Sequence, residues 1–141
     1  MVYIILALIF YTAAIMFGTL ASRSANTNMV TGIMNAFSAI IPIAIAVPLI
    51  NKKMLISSKQ GILMAVISGL ALAFFTMAIN KSYSINKVAI VAPIVLGGAI
   101  FSSAILSSIF FKEKIDFIQG VGLFFLAIGL SLIIYARAVA K

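Results

Sequence analysis

Cysteine, histidine and tryptophan are all missing from this chain of 141 residues. Their absence removes disulfides, thiol nucleophiles, imidazole acid–base chemistry and the commonest metal ligands, so the sequence predicts no metal site, no cofactor and no enzyme. A serine without histidine, cysteine or a buried acid or lysine has no evident activator. Acidic residues are almost as scarce, with Glu113 and Asp116 set against ten Lys and Arg. Apart from Lys59, near the start of one, no charged residue of either sign falls inside a long apolar run.

Those runs are what the chain does contain. They read as residues 3–21, 29–50, 57–79, 88–110 and 117–136, and each is long enough for a helix rising ~1.5 Å per residue to cross a hydrocarbon layer of ~30 Å. Hydrophobic residues make up 65% of the sequence and charged ones 9%, and the mean hydropathy is +1.30. An ordinary water-soluble domain lies far from these values. The short polar connections, Ser22 to Asn28, Asn51 to Ile56, Asn80 to Lys87 and Phe111 to Asp116, predict an up-and-down bundle. No two-residue alternation marks membrane strands. The expected fold is an all-α integral membrane protein with five transmembrane helices in a single domain, 1–141. The first run exceeds the length of a signal-peptide core and has no Lys or Arg before it, so it is read as a retained span.

A net charge of +8 raises the question of nucleic acid, but the basic residues are scattered in ones and twos along five membrane-edge segments. A phosphate backbone needs a patch or stripe, so no nucleic-acid partner is expected. Headgroup anchoring and topology setting explain the charges. With five spans, one side of the membrane receives Lys52, Lys53, Lys59, Lys112 and Lys114, and the other receives Arg23, Lys81, Lys87, Arg137 and Lys141. Such an even division gives no positive-inside bias. It leaves two readings open: one orientation chosen by local cues such as Lys52-Lys53, or dual topology, in which opposite copies pair. Asn80-Lys81-Ser82 matches a glycosylation sequon, read as chance because it abuts the membrane edge.

Polar residues in a bilayer are expensive and face protein or a wet cavity, which makes their angular distribution informative. At 3.6 residues per turn, Ala7, Tyr11, Ala14, Gly18 and Ser22 share a stripe in the first span, and Thr31, Asn35, Ser38, Pro42 and Ala46 share one in the second. In the third, Ala65, Ser68, Gly69, Ala73, Thr76 and Asn80 oppose Leu63, Val66, Leu70, Phe74 and Met77. Small residues at four-residue spacing also permit close helix packing, and that explanation covers the Gly and Ala positions. It covers Tyr11 and Asn35 less well, because a phenol hydroxyl and a carboxamide at depth need partners. Pro42, Pro48 and Pro93 each remove a backbone donor, and Pro42 and Pro93 are the candidate kinks within spans.

The segment Val91-Ala92-Pro93-Ile94, Phe110-Phe111-Lys112-Glu113-Lys114-Ile115-Asp116, then Gln119, Gly122, Leu126, Gly129 and Leu132, resembles the end of the EamA unit of the drug/metabolite transporter superfamily. The detailed likeness covers residues 88–134, and the five-span count extends it to the rest. Most EamA proteins resemble two such units in tandem, enclosing a central pathway; this chain carries one, an EamA-like half-transporter bundle. The resemblance implies a homodimer, ideally antiparallel, with the first, third and fourth helices lining the pathway. Related small multidrug exporters use a carboxylate in the first helix, where this chain has Tyr11 and Thr12 and no acid.

The expected function is therefore transport of small metabolites, of amino-acid or metabolite exporter type, by alternating access around a neutral midplane cavity. Its expected partners are the lipid bilayer, a second copy and a small-molecule substrate. Tyr11, Asn35, Ser38, Thr76, Asn80 and Ser108 are the candidate substrate-binding residues. The expected location is a cell membrane, as a multi-pass protein of prokaryotic inner or plasma membrane type. Two alternatives stand beside it: a flippase-like subunit for lipid or polyprenyl phosphate, and an accessory structural subunit without a pathway.

Overall fold

A computed structural model of the chain describes residues 1–50 and 59–139. Every regular element among them is helical. The connection carrying Lys52 and Lys53, and the terminal Lys141, lie outside the described residues. Helix α1 covers Val2–Ser24. Helix α2 covers Thr27–Ala46 and tightens into a 3-10 turn at Val47–Leu49. Helix α3 covers Lys59–Ile85, α4 covers Val88–Phe110, and α5 covers Phe117–Val139. All five are long and apolar enough to cross a membrane.

The helix ends follow from local chemistry. Ala25, in an extended conformation, ends α1, and Asn26 starts α2, its Oδ1 accepting from the backbone N–H groups of Asn28 and Met29 at 2.9 and 3.3 Å. That cap satisfies two donors that a helix start otherwise leaves open. Gln119 does similar work before α5, where its Oε1 accepts from Asp116 N–H at 3.1 Å. This is the returning half of a capping box, with the amide three residues inside the helix reaching back to the residue at its start. Between α4 and α5, Lys112 takes a left-handed backbone with φ of 56°.

Helix α3 runs past the apolar stretch expected to end at residue 79. Asn80, Lys81, Ser82, Tyr83 and Ser84 stay helical, and the helix ends only at Ile85. No Gly or Pro interrupts that stretch, and Asn80 and Tyr83 are buried. The prolines behave differently from one another. Helix α2 continues through Pro42 to Ala46, and Pro48 sits in the 3-10 turn. Pro93 opens a π-turn at Pro93–Gly97 within α4. A missing N–H and a ring against the preceding turn favour such a widened turn.

The chain falls into two compact units, Met1–Ile85 and Asn86–Lys141. In the first, α1, α2 and α3 each contact the other two. The second is built from α4 and α5, with the π-turn in contact with α5.

Candidate functional site

The three helices of the first unit meet along the polar stripes read from the sequence. Gly18 lies in the α1 stripe at the closest approach: a Cβ there would stand 3.0 Å from Met34 Cε and 3.7 Å from Asn80 Oδ1. Glycine is what lets α1 reach both neighbours at this level. Across α2 and α3, Asn80 Nδ2 donates to Thr31 Oγ1 at 2.9 Å and to Met34 Sδ at 3.5 Å. Thr31 in turn donates to Thr27 O at 2.8 Å. About one turn further along, Asn35 Nδ2 donates to Thr76 Oγ1 at 3.0 Å, and Thr76 Oγ1 lies 2.9 Å from Ala73 O. The carboxamides that hydrocarbon could not satisfy are thus tied between helices.

Beside this seam is a cleft of about 110 Å³, lined by Tyr11, Ala14, Ile15, Met34, Phe75, Thr76, Ile79, Asn80 and Tyr83. Three of the predicted residues, Tyr11, Thr76 and Asn80, come together here. Asn35 and Ser38 line a different cleft, of about 310 Å³, with Ala39, Gly69, Leu72 and Ala73. Ser38 donates to Asn35 O at 3.0 Å. Ser108 belongs to the second unit and lines neither cleft; its hydroxyl donates to Ile105 O at 2.8 Å.

Tyr83 is the member that the sequence reading passed over. Its residue is 2% exposed, and its hydroxyl is buried without a hydrogen-bond partner. The hydroxyl of Ser22, on the α1 stripe, is in the same condition. Tyr83 sits in a run that looks like a connection, Lys81-Ser82-Tyr83-Ser84, and so escaped notice as part of a span. A signal was available: Thr76, Asn80 and Tyr83 are spaced by four and three, which puts them on one helix face. Arg23 reinforces this end of the unit, its Nε donating to Tyr83 O at 3.2 Å.

The second unit carries a larger cleft of about 610 Å³, between the C-terminal half of α4 and the start of α5. Its walls include Ile100, Ala104, Leu123 and Leu126, with Glu113, Lys114 and Gln119 at the connection. Ser107 supplies a hydroxyl, but it is spent on Ala104 O at 3.0 Å, and the Gln119 carbonyl is spent on the helix start. This cleft therefore offers apolar walls and charges confined to the membrane edge. The neutral side chains that bond to one another across helices belong to the first unit.

Compared with known families, residues 1–135 match the model of the EamA-like transporter family. The chain belongs to that family. It is accordingly a multi-pass membrane protein, a single five-helix EamA unit of the drug/metabolite transporter type, and the motif that ends the unit has a visible basis in the Gln119 cap and the Pro93 turn. Comparison with curated proteins and with solved structures gives no match.

Proposed function

We propose that this EamA protein moves small metabolites by alternating access, as a homodimer whose two copies insert in opposite orientations. The observation that carries the solute reading is the gathering of Tyr11, Thr76, Asn80 and Tyr83 around one neutral cleft inside the three-helix unit. A carboxylate-driven proton cycle would need an acid at depth, and the spans contain none. Substrate is held in this reading by hydroxyls, carboxamides and aromatic faces. Asn35 and Ser38 extend the polar face along α2. Ser108 stays outside this group.

The dimer has two supports. The even division of basic residues between the two sides leaves insertion free to go both ways. In addition, α5 has no buried residue, and Phe124 and Phe125 are 62% and 66% exposed in the isolated chain. An inverted second copy supplies the repeat-related half that alternating access uses.

The test is counterflow in proteoliposomes loaded with mixed metabolite pools, paired with labelling of cysteines placed at each terminus. Saturable exchange of a small solute is expected, lowered about ten-fold by Tyr11→Phe or Asn35→Ala. Each terminus should label in part from either side of the membrane, and labelling of each terminus from one side only would remove the inverted copy. Solute exchange unaffected by either substitution would remove these residues from the pathway. Translocation of phospholipid or polyprenyl phosphate without solute flux would replace the metabolite reading with the lipid one.

A further inference from the structure

The cleft beside α1 and α3 has an unusual hydrogen-bond inventory. Both amide hydrogens of Asn80 are committed, to Thr31 Oγ1 and Met34 Sδ. Its Oδ1 accepts from no group among the described residues. The Thr76 hydroxyl is engaged with Asn35 and Ala73. Tyr11 Oη has no partner among the described residues, and Tyr83 Oη is buried without one. Around the cleft, one acceptor-only oxygen and two phenol hydroxyls remain unpaired, each phenol able both to donate and to accept; the Tyr83 hydroxyl is covered, so a solute reaches it by a turn of the phenol.

A buried hydroxyl without a partner costs on the order of 1–3 kcal/mol. Tyr83 has no need of its oxygen for packing, since phenylalanine fills the same apolar space. Four other hydroxyls in this unit find an internal solution, Thr12, Thr19, Ser24 and Thr31 each donating to a carbonyl one turn back, whereas Ser22 does not. Tyrosine is too long for that solution and too deep in the unit for bulk water.

We infer that the Tyr11–Asn80–Tyr83 cleft binds the uncharged carboxamide head of a solute whose remainder is apolar, and that it rejects carboxylate and ammonium heads on the same carbon frame. This rests on reading the cleft as a solute site and adds the substrate class. A primary carboxamide donates two N–H bonds, which Asn80 Oδ1 and one phenol oxygen can receive, and accepts at its carbonyl from the other phenol. A carboxylate has no hydrogen to give to Asn80 Oδ1. An ammonium leaves the phenol donors unanswered, and no carboxylate lies in any span to balance its charge. At ~30 Å³ per water-sized group, a volume of about 110 Å³ takes about three or four such groups, enough for the head and the first carbon of the frame, with the branched end at the cleft mouth. Ala14, Ile15, Phe75 and Ile79 provide the apolar wall for the frame.

Three probes of one branched frame separate the heads: isovaleramide, isovalerate and isoamylammonium. Their binding to the full chain in lipid nanodiscs is followed by saturation-transfer NMR, with each probe competed against the others. Isovaleramide is expected to bind at least ten-fold more tightly than either charged probe. Tyr83→Phe should erase that preference while leaving the Tm unchanged or higher, and Tyr11→Phe should reduce it. Equal binding of the three probes, tighter binding of a charged one, or an undiminished preference in Tyr83→Phe protein of unchanged Tm would overturn the inference. Should Tyr83→Phe protein prove unstable, Tyr11→Phe decides by the same criterion. The transport reading is judged apart: solute exchange without the amide preference sinks this inference alone, and amide preference without exchange sinks transport alone.

Discussion

The first unit is held by polar contacts between helices and the second by shape, apart from one bond at its edge, Arg137 Nη2 donating to Asn86 Oδ1 at 3.0 Å. In α1, α2 and α3 the close approach at Gly18 is against Met34, a flexible side chain, and the neighbouring carboxamides bond across helices. In α4 and α5 the close approach is at Gly97, where a Cβ would stand 2.7 Å from Leu130 Cδ2 and 3.3 Å from Leu130 Cγ. Leucine is branched and has less freedom to withdraw than methionine. The difference teaches where change can be absorbed. A seam of side-chain hydrogen bonds facing a thioether can adjust, whereas a π-turn wedged on a branched side chain has to fit.

The largest effect that tests this contrast is Gly97→Ala, expected to destabilise by about 1–3 kcal/mol through overpacking. Thermal unfolding in detergent measures it, and Leu130→Ala in the same chain should recover part of the loss. Gly18→Ala is the matched change in the first unit and should cost well under half as much, because the Met34 methyl can move. Equal costs at the two glycines would abolish the distinction.

Next in size is Asn80→Leu, which removes the donor to Thr31 and Met34. Side-chain hydrogen bonds between membrane helices average ~0.6 kcal/mol and reach ~1.7, and a loss near the upper figure is expected for a residue 2% exposed. Steric-trap unfolding in bicelles gives the number. The smallest effect is Thr76→Val, about 0.5 kcal/mol, because Asn35 is only half-buried and can turn to another partner. A loss at Thr76 exceeding that at Asn80 would mean that the seam is anchored at its other end.

The apolar runs made the five spans legible, because a bilayer demands nearly unbroken hydrophobic length and little else. The stripes were legible for the same reason: polar groups at depth must collect where protein covers them, so Thr31 and Asn80 landed on facing sides of α2 and α3. Four things were not. The end of α3 was hidden because helix propensity and burial carry it through Lys81 and Ser82, where hydropathy falls. Tyr83 was hidden with it. The seat of the π-turn against α5 is a close approach of Gly97 to Leu130, residues on different helices, and local sequence holds no record of that distance. The carboxamide partners were also out of reach: spacing placed Asn35 and Asn80 on cavity-facing stripes, while the folded unit spends most of their hydrogen-bonding capacity on neighbouring helices.

Asn80-Lys81-Ser82 reads as a glycan acceptor in a chain whose folded form keeps Asn80 inside a helix and out of solvent. An oligosaccharyltransferase needs an extended, accessible acceptor. Sugar attached to Asn80 during heterologous secretory-pathway expression would therefore mark molecules in which α3 had not docked on α2, and the mass shift on a gel would count misassembled chains without any engineered tag.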